Sequence, residues 1–152
     1  IVIVEKDNEA VSRHPNGYLV ISMNPYSVEY AGTKPLNVAF RRRLRDWISF
    51  DYLSVGNQIS QMEIKVVMRR SKLKDKKIAT NIVKAGAKLR ALYKSGDLPA
   101  SPSIANLIDW AMLIRLGEDM MQAAEETVMN MISDDEDLQN LVKNVIKSTF
   151  GH

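Results

Sequence analysis

The hydrophobic pattern changes period near the middle of the chain. Up to about residue 54 the apolar residues come in short runs broken by polar turns. Residues 1–5 (Ile-Val-Ile-Val-Glu) are mostly β-branched and predict a strand. Lys6-Asp7-Asn8-Glu9 is a polar turn, and Ala10 to Ser12 can return as a hairpin strand. His14-Pro15-Asn16-Gly17 breaks the chain again. Tyr18 to Met23 is a short apolar run of the kind a buried strand of a parallel sheet carries, and Asn24-Pro25-Tyr26 ends it. A loop over 27–35 follows. Leu36 to Arg45 predicts a short helix with Leu36, Ala39 and Phe40 on one side and arginines on the other. Trp47 to Leu53 alternates and predicts a further strand.

Beyond that point the spacing is helical. Asn57 or Ser60 caps a helix running to about Arg70. Ile78, Ile82, Ala85, Leu89 and Leu92 share one helical stripe that Gly96 stops. Ser101-Pro102-Ser103 opens a helix bearing Ile104, Leu107, Ile108, Ala111 and Ile114, and Gly117 interrupts it. Met120, Ala124, Val128 and Met131 continue a stripe. Asp134 or Asp135 caps a last helix with Leu138, Leu141, Val142, Val145 and Phe150. The expected architecture is an α/β segment over residues 1–54 and an all-α domain over 55–152, with the boundary at Val55-Gly56.

Composition adds a few exclusions. Hydrophobic residues make up 45% of the 152, enough for a real core. Cysteine is absent, which removes disulfides, thiolate metal sites and thiol nucleophiles, and suits a reducing, cytoplasmic setting. No apolar run approaches the roughly 20 residues that cross a bilayer. His14 and His152 are too isolated to build a metal site, so none is expected. The chain begins at Ile1, inside a strand pattern and without Met, and is expected to be a portion of a longer protein.

The net charge of +3 hides a segregation. Arg41, Arg42, Arg43 and Arg45 cluster, and a second basic stretch runs from Lys65 to Lys77. Acids crowd between Glu118 and Asp137. This pattern fits a nucleic-acid face, two complementary faces of a homo-oligomer, or solvated helix surface. The basic stretches lack interleaved aromatics for base stacking, which counts against nucleic acid.

Several short motifs, in order, carry a resemblance. His14-Pro15-Asn16, Leu19 to Met23, Asn24-Pro25, Glu29-Tyr30-Ala31-Gly32-Thr33, Leu36-Asn37-x-Ala39-Phe40 and Phe50-Asp51-Tyr52 resemble the sensor 1 region of MoxR-type AAA+ ATPases. Ala87-x-Leu89-Arg90, Pro102-Ser103, Leu107-x-x-Trp110-Ala111, Leu113-Ile114-x-x-Gly117 and Ser133-Asp134-Asp135 are similar to the C-terminal domain of the CbbQ/NirQ/NorQ/GvpN branch. The resemblance implies the second half of a P-loop parallel sheet followed by a helical lid.

It also assigns roles. Asn24 corresponds to sensor 1, whose amide donates and accepts as it orients an attacking water. Arg43 corresponds to the arginine finger, a permanently charged planar fork that acts on the neighbouring subunit's nucleotide. The family usually has Asp and Phe where Arg42 and Leu44 stand, so the choice of Arg43 depends on register. Ala105 occupies the position of the sensor 2 Arg and cannot touch phosphate, so either sensor 2 is lacking or another basic residue such as Arg90 or Arg115 replaces it; Arg42 and Arg90 are the cofactor-binding candidates. Otherwise Arg90 and Arg115 read as helix-surface charges, and Trp110 and the methionines at 112, 120, 121, 129 and 131 as core. No G-x-x-x-x-G-K-[ST] and no strand-terminal acidic pair is present. ATP and Mg2+ are therefore cofactors of an intact protein, and this chain alone is expected to be inactive. The implied partners are further copies in a ring, hexameric by analogy, with a client or a von Willebrand A-domain protein. The alternatives are a nucleic-acid-binding domain on Arg41–Arg45 and Lys65–Lys77, and a catalytically inactive AAA+-like adaptor.

Overall fold

The computed structural model describes residues 2–3, 9–10, 14–18, 20–23 and 37–151. The chain divides into two compact units, Ile1–Ser49 and Phe50–His152. In the first, β1 (Val2–Ile3) pairs with β2 (Glu9–Ala10) in an antiparallel hairpin, with Val2 opposite Ala10 and Ile3 opposite Glu9. The first unit also holds α1 (Val38–Arg41), capped by Asn37, whose side chain accepts from the Ala39 N–H at 2.8 Å.

Three expectations for this half change. The helix expected over 36–45 is α1 alone, because after Arg41 the chain enters a turn in which the Arg43 N–H bonds to the Phe40 carbonyl. Tyr18 and Val20–Met23 form no ladder, and Tyr18 and Val20 are 93% and 90% exposed. Residues 47–53 likewise form no strand. An alternating or apolar run becomes a strand only when a neighbour accepts its backbone hydrogen bonds. Among the described residues neither run has such a neighbour, so no parallel sheet forms among them.

The second unit is a helical bundle: α2 (Gln61–Ser71), α3 (Lys76–Ser95), α4 (Ile104–Leu116), α5 (Met120–Ala124), a π segment (Glu125–Met129), α6 (Asn130–Ile132) and α7 (Glu136–Phe150). Its boundaries follow local chemistry. Asp75 caps α3 by accepting from the Lys77 and Ile78 N–H groups, and Gly96 ends it in the left-handed region. Ser103 and Asn106 form a reciprocal capping box at the start of α4, and Gly117 ends it. Asp135, not Asp134, caps α7.

The core joins Ile64 and Val67 of α2, Ile82, Val83 and Leu89 of α3, Leu107 and Trp110 of α4, and Val142 and Ile146 of α7. Trp110 is fully buried; its indole N–H donates to the Met120 carbonyl at 3.0 Å and its ring meets Phe150 at 5.7 Å between centroids. The methionines differ from one another: Met129 is buried, whereas Met112 and Met131 are exposed. The buried stripe runs from Ala124 through Val128 to Ile132 at four-residue steps and leaves Met131 outside; it passes through the π segment, where the Asn130 N–H bonds to the Glu125 carbonyl, five residues back.

Gly86 of α3 lies against Leu107 of α4: a Cβ there would lie 2.8 Å and 2.9 Å from the two Cδ atoms of this buried leucine. Gly86→Ala is therefore expected to lower stability by about 1–3 kcal/mol through overpacking, despite alanine's better helix propensity. Thermal melts of Gly86→Ala with and without Leu107→Ala check this, because the two losses must be less than additive if the clash is real.

Candidate functional site

The sequence-derived candidates fall in three places. Asn24 lies outside the described residues. Arg42 and Arg43 sit directly after α1, Arg42 as its C-cap, and both are exposed. Arg41 is held differently, its guanidinium 5.1 Å from the centre of the Trp47 ring. Of the adjacent arginines, Arg43 is thus placed by a turn, and no ion pair engages it among the described residues. Ala105 is exposed in the first turn of α4, and Arg115 is exposed in the last.

Arg90 is not the surface charge its type suggests: it is fully buried. The spacing explains this, since Ile82, Gly86 and Arg90 stand four apart on the face of α3 that the core covers. A buried guanidinium needs counter-charge and acceptors. Arg90 Nη1 donates to Glu63 Oε1 at 2.7 Å and to the Ser54 carbonyl at 3.1 Å, and Nε donates to the Pro102 carbonyl at 2.9 Å. Glu63 is itself 1% exposed. The Tyr52 ring covers the guanidinium at 4.2 Å. Arg90 Nη2 and Glu63 Oε2 are buried without a partner among the described residues.

This cluster fastens the segment before α2 to the bundle. Further bonds reinforce it. Tyr52 Oη and Ser101 Oγ are 3.1 Å apart, the Ser60 N–H donates to Ser54 Oγ, and the Gly56 N–H donates to the Ala87 carbonyl at 2.7 Å. At the rim the Lys94 ammonium donates to Asp51 at 2.6 Å, which with the Tyr52 N–H holds the Asp51 carboxyl below its usual range. Glu63 and Ser54 carry no motif of their own, whereas Tyr52 belongs to the Phe50-Asp51-Tyr52 run. The one signal for Glu63 is an acid in the first turn of an otherwise basic helix.

The other charged feature is open surface. Lys65, Arg69, Lys72 and Lys74 surround a shallow depression floored by Met68 and Leu73. No group of three His, Asp or Glu side chains is placed to hold a metal among the described residues, and no described helix is long and apolar enough to cross a membrane.

Residues 63–149 match the family model described as CbbQ/NirQ/NorQ C-terminal, a span that begins at Glu63 and contains the whole core. An uncharacterized protein of Staphylococcus haemolyticus is 28% identical over 143 residues, covering 93% of this chain and 50% of that protein. Two uncharacterized proteins of Staphylococcus epidermidis strains are each 27% identical over the same shares. The chain thus spans about half the length of these relatives.

Removing Glu63 alone strands a buried cation, so Glu63→Ala is expected to lower the unfolding free energy by about 3–5 kcal/mol. Glu63→Leu combined with Arg90→Met should recover part of that loss, because no charge is then left in the core. Urea unfolding of the single and double variants checks both; a loss near zero for Glu63→Ala would mean that the guanidinium reaches water.

Proposed function

The chain belongs to the CbbQ/NirQ/NorQ C-terminal family, and from this membership we propose that it is the C-terminal portion of a MoxR-like AAA+ ATPase. In this reading Phe50–His152 is the helical lid, and the preceding residues complete a nucleotide-binding sheet and present Asn24 and Arg43. The observation that carries it is the family match across the bundle. Two features of the first unit support it. Tyr18, Val20, Ile21 and Met23 stand exposed, as strand residues do when their sheet neighbours are not alongside. Arg43 is exposed and fixed by a turn directly after a capped helix, where its planar fork is free to meet phosphate oxygens.

ATP and Mg2+ fit the residues present only on the sensing side. The sequence has no glycine cradle for phosphates and no acidic pair after a strand, so those parts belong to sequence outside these 152 residues. The nucleotide supplies the phosphoanhydride whose cleavage releases free energy. Asn24 is the water-orienting amide. Arg43 stabilises, from the adjoining subunit, the charge that develops on the transferred phosphoryl group, with Arg42 beside it as a second phosphate contact. Ala105 offers no charge at the start of α4. Arg90 is fully buried with Nε and Nη1 bonded inside the helical unit, so its part is to hold the lid's shape. The assembly is a ring, hexameric by family analogy, remodelling or activating a client with or without a von Willebrand A-domain partner.

In the full-length protein, Arg43→Ala is expected to cut ATP turnover by about 10³-fold while nucleotide binding persists. Steady-state turnover and a nucleotide titration, run side by side, separate the two quantities. Unchanged turnover would favour the alternative, an adaptor that keeps the fold without the activity.

A further inference from the structure

From Lys65 to Lys77, across the end of α2 and the start of α3, stand seven cations and a single acid, Asp75. Asp75 is occupied in capping α3, where it accepts from the Lys77 and Ile78 N–H groups. Among the described residues the ion pairs are Arg90–Glu63 and Lys94–Asp51, and neither uses any of these cations. Two local features work against such a placement. The first turn of α3 holds Lys76 and Lys77 and no acid, although a helix N-terminus carries partial positive charge and is stabilised by carboxylates. α2 closes on Lys72 in the left-handed region, at φ 61°, the one such non-glycine among the described residues, whereas α3, α4 and α7 close on glycine. Folding preference alone would put an acid and a glycine at these two places. Departures of this kind gather at binding surfaces.

The cations also frame something apolar. Lys65, Arg69, Lys72 and Lys74, all exposed, ring the shallow depression whose floor is half-buried Met68 and buried Leu73. We propose that this depression docks an acidic segment of a partner protein, one that sets a single apolar side chain on Met68 and Leu73 between carboxylates that meet the surrounding cations. The order of charge and apolar surface selects this occupant. The floor lies below the ring, so the partner's apolar group must stand level with its anions or ahead of them. In a nucleic acid the phosphates are outermost, and α2 and residues 72–74 offer no aromatic ring on which a base could stack. In a bilayer the acyl chains lie behind the headgroups. A peptide, by contrast, carries apolar and acidic side chains of similar reach on neighbouring residues. Methionine suits the floor, because its unbranched thioether adapts to the side chain placed on it. The inference uses the helical unit alone and does not need the nucleotide reading.

The test is fluorescence anisotropy of the full-length protein with two labelled peptides, one carrying a leucine flanked on both sides by glutamates, the other with serine in place of that leucine. The leucine peptide is expected to bind about tenfold more tightly, through the apolar area it removes from water, and to weaken as salt is raised. Lys65→Glu with Arg69→Glu is expected to weaken it about tenfold or more, by turning attractions into repulsions. Lys72→Gly is expected to weaken it about threefold while the protein melts no lower than wild type, because the left-handed position then carries its preferred residue. A lysine with a purely structural role would not separate binding from stability in this way. Equal binding of the two peptides, no binding of the leucine peptide, binding that the variants leave unchanged, or a lower melting temperature for Lys72→Gly overturns the proposal. So does tighter binding of a DNA duplex or of phosphatidylserine vesicles, lost in the same double variant, since the face would then belong to that ligand. ATP turnover plays no part in the readout, so the outcome is independent of the Arg43→Ala measurement.

Discussion

The helical unit is organised around one buried ion pair. Burying a guanidinium and a carboxylate costs several kcal/mol each in lost hydration, and mutual attraction recovers this only when the remaining donors and acceptors are also used. Arg90 uses Nε and Nη1 on the carbonyls of Ser54 and Pro102 as well as on Glu63, while its Nη2 and Glu63 Oε2 have no partner among the described residues. Those acceptors come from three separate stretches: the segment before α2, α2 itself and the loop leading into α4. A pair of leucines would fill the same space but would not dictate which carbonyls face it. The ion pair contributes geometry more than net stability, and the geometry is that of a junction between an approach segment and a bundle.

That junction has a mechanical consequence. Residues 51–56 are bound by the Tyr52 ring over Arg90, the Ser54 carbonyl, and the Gly56 N–H to the Ala87 carbonyl. Gly56 is in the left-handed region, and an added Cβ would stand 3.7 Å from that of Ala91, so the chain here runs close along α3. Any rigid movement of the bundle carries this segment with it. The alternation of residues 47–53 suggested a strand, yet its last members are tied to helices. Tyr52 spends its ring on a cation and its hydroxyl on Ser101, which a place in a sheet would not need.

What could be read from the sequence was what is decided locally. Helix ends at Gly96, Ser103, Gly117 and, to within one residue, Asp135 were legible because a cap needs only its own few neighbours, whereas Ser60 precedes α2 without a side-chain cap bond. The core stripes of α3, α4 and α7 were legible because their period is local too. The β1–β2 hairpin of the first half was legible from its polar turn, but the strands expected over 18–23 and 47–53 have no ladder among the described residues, because a strand exists only through a partner. The stripe continues from Val128 to Ile132 at i, i+4 rather than to Met131 at i, i+3, and the period allows either. Arg90 was misjudged for a related reason: its burial is encoded in its spacing from Ile82 and Gly86, but its compensation lies in Glu63, 27 positions away. Reading a charge as solvated is sound until the opposite charge shares the same buried face.

The lid's inward-facing cation and its missing outward-facing one belong together. In the family resemblance a lid Arg at the position of Ala105 would report on bound nucleotide from within the same subunit. Here that position carries a methyl group at the exposed start of α4, while Arg90, the buried cation of the preceding helix α3, is neutralised by Glu63 and covered by Tyr52. A lid built this way has no charge of its own to pull towards phosphate at that point. In the AAA+ reading proposed above, closure would then be driven by contacts from outside this helix start, and the cation that meets phosphate would be Arg43 rather than one at position 105.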